Sequence, residues 1–248
     1  MIRKYYKDEE KLKVPLYKLF PNFITIIGLC LGISAVRYAL DQKMQMAAGL
    51  IIIAAFMDGI DGRLARLLNS TSSFGAHLDS LADIVSFGVA PAVVVYLWSL
   101  HEIPYKGVGW AAVLFYITCS ALRLARFNVQ SENKKSPSAQ NYFTGVPMPS
   151  AAILSMLPMM FTFELINFHF SPWIILCNLL IISFLMVSTI PTFSFKKVDI
   201  EREYVMLLFV GMALLISSII LEPWLILPFV GAAYLISIPV SVYSYYRK

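Results

Sequence analysis

Apolar residues run through this chain in long blocks separated by short polar links. The blocks lie at roughly 22–40, 44–67, 74–100, 107–129, 147–165, 172–191, 204–221 and 223–246. Most approach the length of about 20 residues that a helix needs to cross the hydrocarbon core of a bilayer. Lipid-exposed backbone must satisfy its own hydrogen bonds, so such blocks predict helices. Neighbouring blocks are joined closely; the last two are parted only by Glu222 and Pro223. The pattern predicts an all-α integral membrane protein, an up-and-down bundle of about eight transmembrane helices. No soluble domain and no internal repeat is legible. The longest polar stretch is 128–141, between the fourth and fifth blocks.

Composition agrees with this reading. Hydrophobic residues make up 58% of the 248 positions and charged residues 14%, with mean hydropathy +0.71. A soluble domain carries about 25% charged residues. The first twenty residues are too charged to hold the apolar centre of a secretory signal. Their mixture of Tyr, Leu and Phe with Lys and Glu suits an interfacial helix on the membrane surface or a basic anchor.

The net charge of +5 reads as topology. With the N-terminus in the cytoplasm, 17 of the 20 Lys and Arg residues fall on that side, and Arg37, Lys43 and Lys106 on the other. Cytoplasmic loops carry the basic excess, so both termini are expected inside. No basic stripe with interleaved aromatics lies outside the blocks, which argues against a nucleic-acid partner. Cys30, Cys119 and Cys177 lie inside apolar runs, too far apart for a zinc motif. They read as buried small apolar residues without a disulfide framework.

One stretch breaks the pattern. Residues 58–83, DGIDGRLARLLNSTSSFGAHLDSLAD, hold Asp58, Asp61, Asp79 and Asp83. At 3.6 residues per turn, Asp58, Asp61, Gly62, Ala65 and Arg66 share one helix face. Gly75, Asp79 and Asp83 form a stripe on the next helix, four residues apart. The polar link 67–74 suits a turn and the N-cap of the second helix. An antiparallel pair joined this tightly brings four carboxylates into one small volume.

Ionisable groups at membrane depth are costly and are usually paired or functional. Asp–Arg pairs with Arg63 and Arg66, plus helix caps, are one solution. A divalent-metal site is the other: all-oxygen ligation suits Mg²⁺, Mn²⁺ or Ca²⁺ rather than zinc. Paired ions commonly clamp a transferring phosphoryl group. Gly62, Ala65 and Gly75 admit either a ligand or a closely packed helix, and Arg66 suits phosphate oxygens. His77 lies between these residues on another face and reads as a packed or surface side chain. Glu164 and His169 read as solvated loop residues near the outer face.

The pattern Asp-x-x-Asp-Gly-x-x-Ala-Arg, eight residues, Gly-x-x-x-Asp-x-x-x-Asp is met in full by residues 58–83. It resembles the signature of the CDP-alcohol phosphotransferases, membrane enzymes of phospholipid synthesis. That resemblance implies two divalent ions, Mg²⁺ or Mn²⁺, with Ca²⁺ as an inhibitory or structural occupant. It implies Asp58, Asp61, Asp79 and Asp83 as metal ligands, with Asp83 also the general base. Gly62, Ala65, Arg66 and Gly75 would line the CDP site. Asn22 and Thr25, in the family's "PN..T" start, would touch the cytidine or cap the first helix.

ALRLARFN (121–128), YFTGVPMPSAA (142–152), LFPNFITIIGLCLGI and MVSTIPTFSFKK (186–197) are similar to a phosphatidylserine-forming, membrane-spanning bacterial branch of the family. The implied substrates are CDP-diacylglycerol and L-serine, within membrane lipid and in a homodimer, at a bacterial-type inner membrane with the active site facing the cytoplasm. The family core has six transmembrane helices. This divides the chain into 1–21, a core over 22–200 and a C-terminal helix pair over 201–248. Serine carries a carboxylate, which Arg123 and Arg126 suit by bidentate hydrogen bonds, and Asn128 adds an amide; positive-inside anchoring is the alternative for the arginines. Glycerol 3-phosphate, inositol phosphate or choline as acceptor stays open. A divalent-cation transporter is a further alternative, but it needs polar residues along the far half of the bundle, which is apolar here.

Overall fold

The computed structural model describes residues 16–68, 70, 72–132, 142–164, 170–193 and 202–246. A short 3₁₀ turn, Leu16–Leu19, leads directly into helix α1, Phe20–Leu40. Helix α2 spans Met44–Leu67. Helix α3, Ser73–Asp83, continues through a π-helical turn, Ile84–Val89, into α4, Ala90–Trp98. Helix α5 is Lys106–Glu132, α6 is Met148–Ser155, α7 is Leu157–Glu164 and α8 is Pro172–Val187. The C-terminal pair is α9, Arg202–Leu221, and α10, Pro223–Tyr246. Each of the eight apolar blocks is thus helical. Five helical stretches are long and apolar enough to cross a membrane: Leu16–Leu40, Met44–Leu67, Ser73–Trp98, Gly107–Gln130 and Tyr204–Leu221.

The chain is an integral membrane helical bundle. Its most extensive helix contact is α1 on α2, followed by α5 on α8. Small residues permit the first: Gly28, Gly32, Ala35 and Ala39 on α1, and Ala47, Ala48 and Ala54 on α2, are all buried. In lipid there is little hydrophobic gain from helix pairing, and small residues let backbones approach closely enough for dispersion to act. The core continues through Val94 and Val95, Tyr116, Met159 and Met160, and Leu179.

Two features interrupt the helices, and proline explains both. Pro91 has no N–H to give the carbonyl of Phe87, and its ring crowds that carbonyl. The helix widens into the π turn there, and the hydroxyl of the fully buried Tyr116 donates to the Phe87 carbonyl at 3.2 Å. Pro158 does the same to Leu154, and the helix breaks at Met156. Asn178 Nδ2 donates to the carbonyls of Leu154 at 3.2 Å and Ser155 at 3.3 Å. A carbonyl orphaned at membrane depth costs several kcal/mol, roughly, unless a side chain meets it. Tyr116 and Asn178 are those side chains.

A short antiparallel strand pair was not foreseen. β1, Tyr142–Thr144, pairs with β2, Pro191–Phe193, with Phe143 opposite Thr192. Next to it Gly145 adopts φ 76°. A Cβ there would sit 2.7 Å from the Met186 carbonyl oxygen and 2.8 Å from that of Ser188. Only glycine fits such a backbone in such a place.

The cysteine expectation needs correction. Cys119 is buried, but Cys30 and Cys177 are exposed on the protein surface. An apolar run in a membrane helix does not separate the core face from the lipid face, since both are apolar. His77 and Glu164 are exposed. His169 and the N-terminal interfacial segment up to residue 15 lie outside the described residues.

Candidate functional site

The link between α2 and α3 is closed by an N-cap. Ser72 Oγ accepts from the Gly75 N–H at 3.0 Å, satisfying one of the free donors of the first turn. α1 packs against both α2 and α3. The result is the predicted convergence: one carboxylate oxygen each from Asp58, Asp61 and Asp79 lies within 4.8 Å of the others. Asp83 lies one turn further along α3 and lines the same small cavity as the other three, together with Thr25, Ser86 and Phe87. Its carboxyl is within hydrogen-bond reach of that of Asp58. The cavity holds about 10 Å³, about one water-sized sphere.

The surroundings fix these groups. Asp61 is only 4% exposed and accepts from Thr25 Oγ1 at 2.7 Å, which ties α1 to α2. Ser86, in the π turn, donates to the Gly28 carbonyl at 3.3 Å. Gly32 makes that approach practicable, because a Cβ there would lie 2.6 Å from Ser86 Oγ. Among the described residues no lysine or arginine forms an ion pair with any of the four aspartates. Arg66 instead turns back along α2, its Nε donating to the Gly62 carbonyl at 3.2 Å. Charge neutralisation by Arg63 and Arg66 is therefore not what the fold provides. Three hard oxygen donors converging without a cationic partner fit a divalent ion.

Beside the aspartates opens a larger cavity of about 210 Å³. Asn22, Thr25, Gly62, Ala65, Arg66 and Gly75 all line it, together with Asp61 and Asp79. The two roles open for the small residues now separate. A Cβ on Gly62 would meet nothing within 4 Å, so this glycine keeps space for a ligand. A Cβ on Gly75 would lie 2.9 Å from Asn22 Oδ1, so this one admits a side chain from α1. Ser70 and Ser72, from the polar link expected to form the turn and the N-cap, also line the cavity.

The expected acceptor residues divide. Arg126 donates through Nη1 to the Val187 carbonyl at 2.8 Å and through Nη2 to those of Ser188 at 3.2 Å and Met186 at 3.5 Å. It caps the end of α8, where the free carbonyls attract a cation. Asn128 Nδ2 donates to Ser80 Oγ at 3.0 Å, joining α5 to α3. Arg123 differs: its Nε is buried and has no hydrogen-bond partner among the described residues. It lies within electrostatic range of Asp83, Arg126 and Tyr234. Spacing placed the two arginines on one face, but it could not show how far each long side chain reaches.

Comparison with known proteins follows the same lines. The profile of the CDP-alcohol phosphatidyltransferase family matches residues 18–185, and that of CDP-alcohol phosphatidyltransferase 2 matches residues 203–239. A CDP-diacylglycerol–serine O-phosphatidyltransferase of Mycobacterium leprae is 34% identical over 230 residues, covering 92% of this chain and 75% of that protein. The enzyme of the same name from Helicobacter pylori is 35% identical over 213 residues, 84% of each chain. That of Bacillus subtilis is 34% identical over 177 residues, 71% of this chain and 91% of its own.

Proposed function

Since the chain belongs to the CDP-alcohol phosphatidyltransferase family, we propose that it transfers the phosphatidyl group of CDP-diacylglycerol to the hydroxyl of L-serine, releasing CMP. The observation that carries this is the convergence of Asp58, Asp61 and Asp79, the last two of which also line the 210 Å³ cavity. The relatives' shared acceptor supports serine over glycerol 3-phosphate, inositol phosphate or choline.

The family is divalent-metal dependent, and Asp58, Asp61 and Asp79, with Asp83, would hold Mg²⁺ or Mn²⁺, two ions in our reading. When bound, the ions supply positive charge to the phosphoryl oxygens. The chain's own groups do the rest. Asn22, Thr25, Gly62, Ala65, Arg66 and Gly75 form the CDP cavity. Arg123 receives the serine carboxylate, its buried Nε having no hydrogen-bond partner among the described residues. Arg126 and Asn128 hold the walls of that pocket through α8 and α3. Asp83 takes the proton from the serine hydroxyl as its oxygen bonds to the phosphorus bearing diacylglycerol, and the bond from that phosphorus to CMP breaks. The lysine and arginine asymmetry supports an orientation with this end of the bundle and both termini at the cytoplasmic face of a bacterial-type inner membrane. A homodimer, and a core at 22–200 carrying the pair 201–248, complete the proposal.

The test is CMP release by purified protein in detergent, given CDP-diacylglycerol and Mn²⁺ or Mg²⁺. L-Serine is compared with glycerol 3-phosphate, inositol phosphate and choline. Serine-dependent release that EDTA abolishes is expected. Release only with another alcohol would discard the serine pocket and keep the aspartate site.

A further inference from the structure

α3 carries Asp79 and Asp83, and its packing is one-sided. It is 11 residues long. Among the described residues it packs extensively on one helix only, α1. α5 packs on the π turn that follows α3 and hardly on α3 itself. Apolar contact is non-directional, so packing on one side leaves rotation about the helix axis weakly fixed. Rotation matters here. A side-chain tip lies about 5–6 Å from the axis of a helix, so a turn of about 10° swings a carboxylate by about 1 Å. A misplacement of that size can cost about a hundredfold in rate.

A hydrogen bond supplies the restraint that packing lacks. Asn128 of α5 reaches Ser80 of α3, Nδ2 donating to Oγ at 3.0 Å. The Ser80 hydroxyl has two acceptors in reach, the Ala76 carbonyl at 3.0 Å and Asn128 Oδ1 at 3.3 Å. Both side chains are half-buried. At 3.6 residues per turn, Ser80 stands about 60° round the helix from Asp83 and about 100° from Asp79. It lies on the flank of the aspartate stripe, where a directional bond opposes rotation. The α5 end of this tie is itself held. Arg126, two residues before Asn128, donates to the Val187 and Ser188 carbonyls at the end of α8.

We propose that Ser80 and Asn128 are positioning residues of the aspartate site: their hydrogen bond holds α3 at the rotation that presents Asp79 and Asp83, and Asn128 acts through Ser80 rather than on the acceptor. The inference rests on the aspartates being the site of metal binding and proton transfer. It makes α5 a brace for the metal ligands as well as the carrier of Arg123.

The experiment is a double-variant cycle: Ser80→Ala, Asn128→Ala and the two together, in the CMP assay with CDP-diacylglycerol, L-serine and titrated Mn²⁺. The readouts are the half-saturating Mn²⁺ concentration, kcat and the KM for serine. The first and last do not depend on how much of the protein is folded. Each single variant is expected to raise half-saturating Mn²⁺ and to lower kcat, both roughly tenfold, the lower end of what support of a metal ligand is worth. Serine KM is expected to stay put. The double variant should match the singles, because one bond can be lost only once. A serine KM that rises in Asn128→Ala but not in Ser80→Ala would overturn the proposal and make Asn128 an acceptor contact. Wild-type Mn²⁺ dependence in either single variant, or effects that multiply in the double, would overturn it as well. A wild-type protein without metal-dependent CMP release would instead overturn the aspartate reading beneath it, a result visible before any variant is made.

Discussion

At the scale of single residues, the site is a set of carboxylates with unequal surroundings. Asp61 is buried and held by Thr25; Asp83 lies deeper along α3, against Asp58 and near Arg123. This inequality suits a division of labour between binding and proton transfer. Replacing Asp83 by Asn keeps the shape and removes the proposed base. Asp83→Asn should lower kcat by about 10²–10⁴-fold, the usual worth of a positioned base, while CDP-diacylglycerol still binds. Turnover and equilibrium lipid binding, measured on the same preparation, decide this. The aspartates were legible in the sequence because their spacing fixes their helix faces. Arg126 was not, because its target is a row of backbone carbonyls at the end of α8, and carbonyls leave no mark in a sequence.

At the scale of elements, the π turn is what sets the direction of α3 relative to the rest of its span. It is held by Pro91 from within, by Tyr116 from α5 and by Ser86 on the Gly28 carbonyl. π turns inside helices are frequent at functional sites. Gly32→Ala would drive a methyl into Ser86 and push the turn, and with it Asp83, away from α1. A shift near 1 Å can cost about a hundredfold in rate. That loss is the expected outcome for Gly32→Ala in the CMP assay. Gly107→Ala, where a Cβ meets nothing within 4 Å, should be silent. The helical spans themselves were readable from hydropathy alone. Their internal breaks were not, because a uniformly apolar run carries no periodicity to interrupt. The prolines at 91 and 158 were the available signal, and the strand pair by Gly145 had none beyond a polar link.

At the scale of the whole molecule, α2 and α3 meet α1 at one end with carboxylates that repel one another when ionised. Apolar contact and the Thr25–Asp61 bond hold that end closed against the repulsion. A cation that binds only the folded arrangement adds stability with its concentration, about 1.4 kcal/mol per tenfold above its dissociation constant. The melting temperature in detergent should therefore climb with Mn²⁺ or Mg²⁺ and fall with EDTA, with no substrate present. A melting temperature indifferent to both would contradict a metal-holding aspartate cluster. The folded state is in this sense a ledger of ion supply. In a cell short of divalent cations the protein would be lost to proteolysis as well as idled, so that the amount of enzyme in the membrane, and not its rate alone, would follow the ion concentration around it.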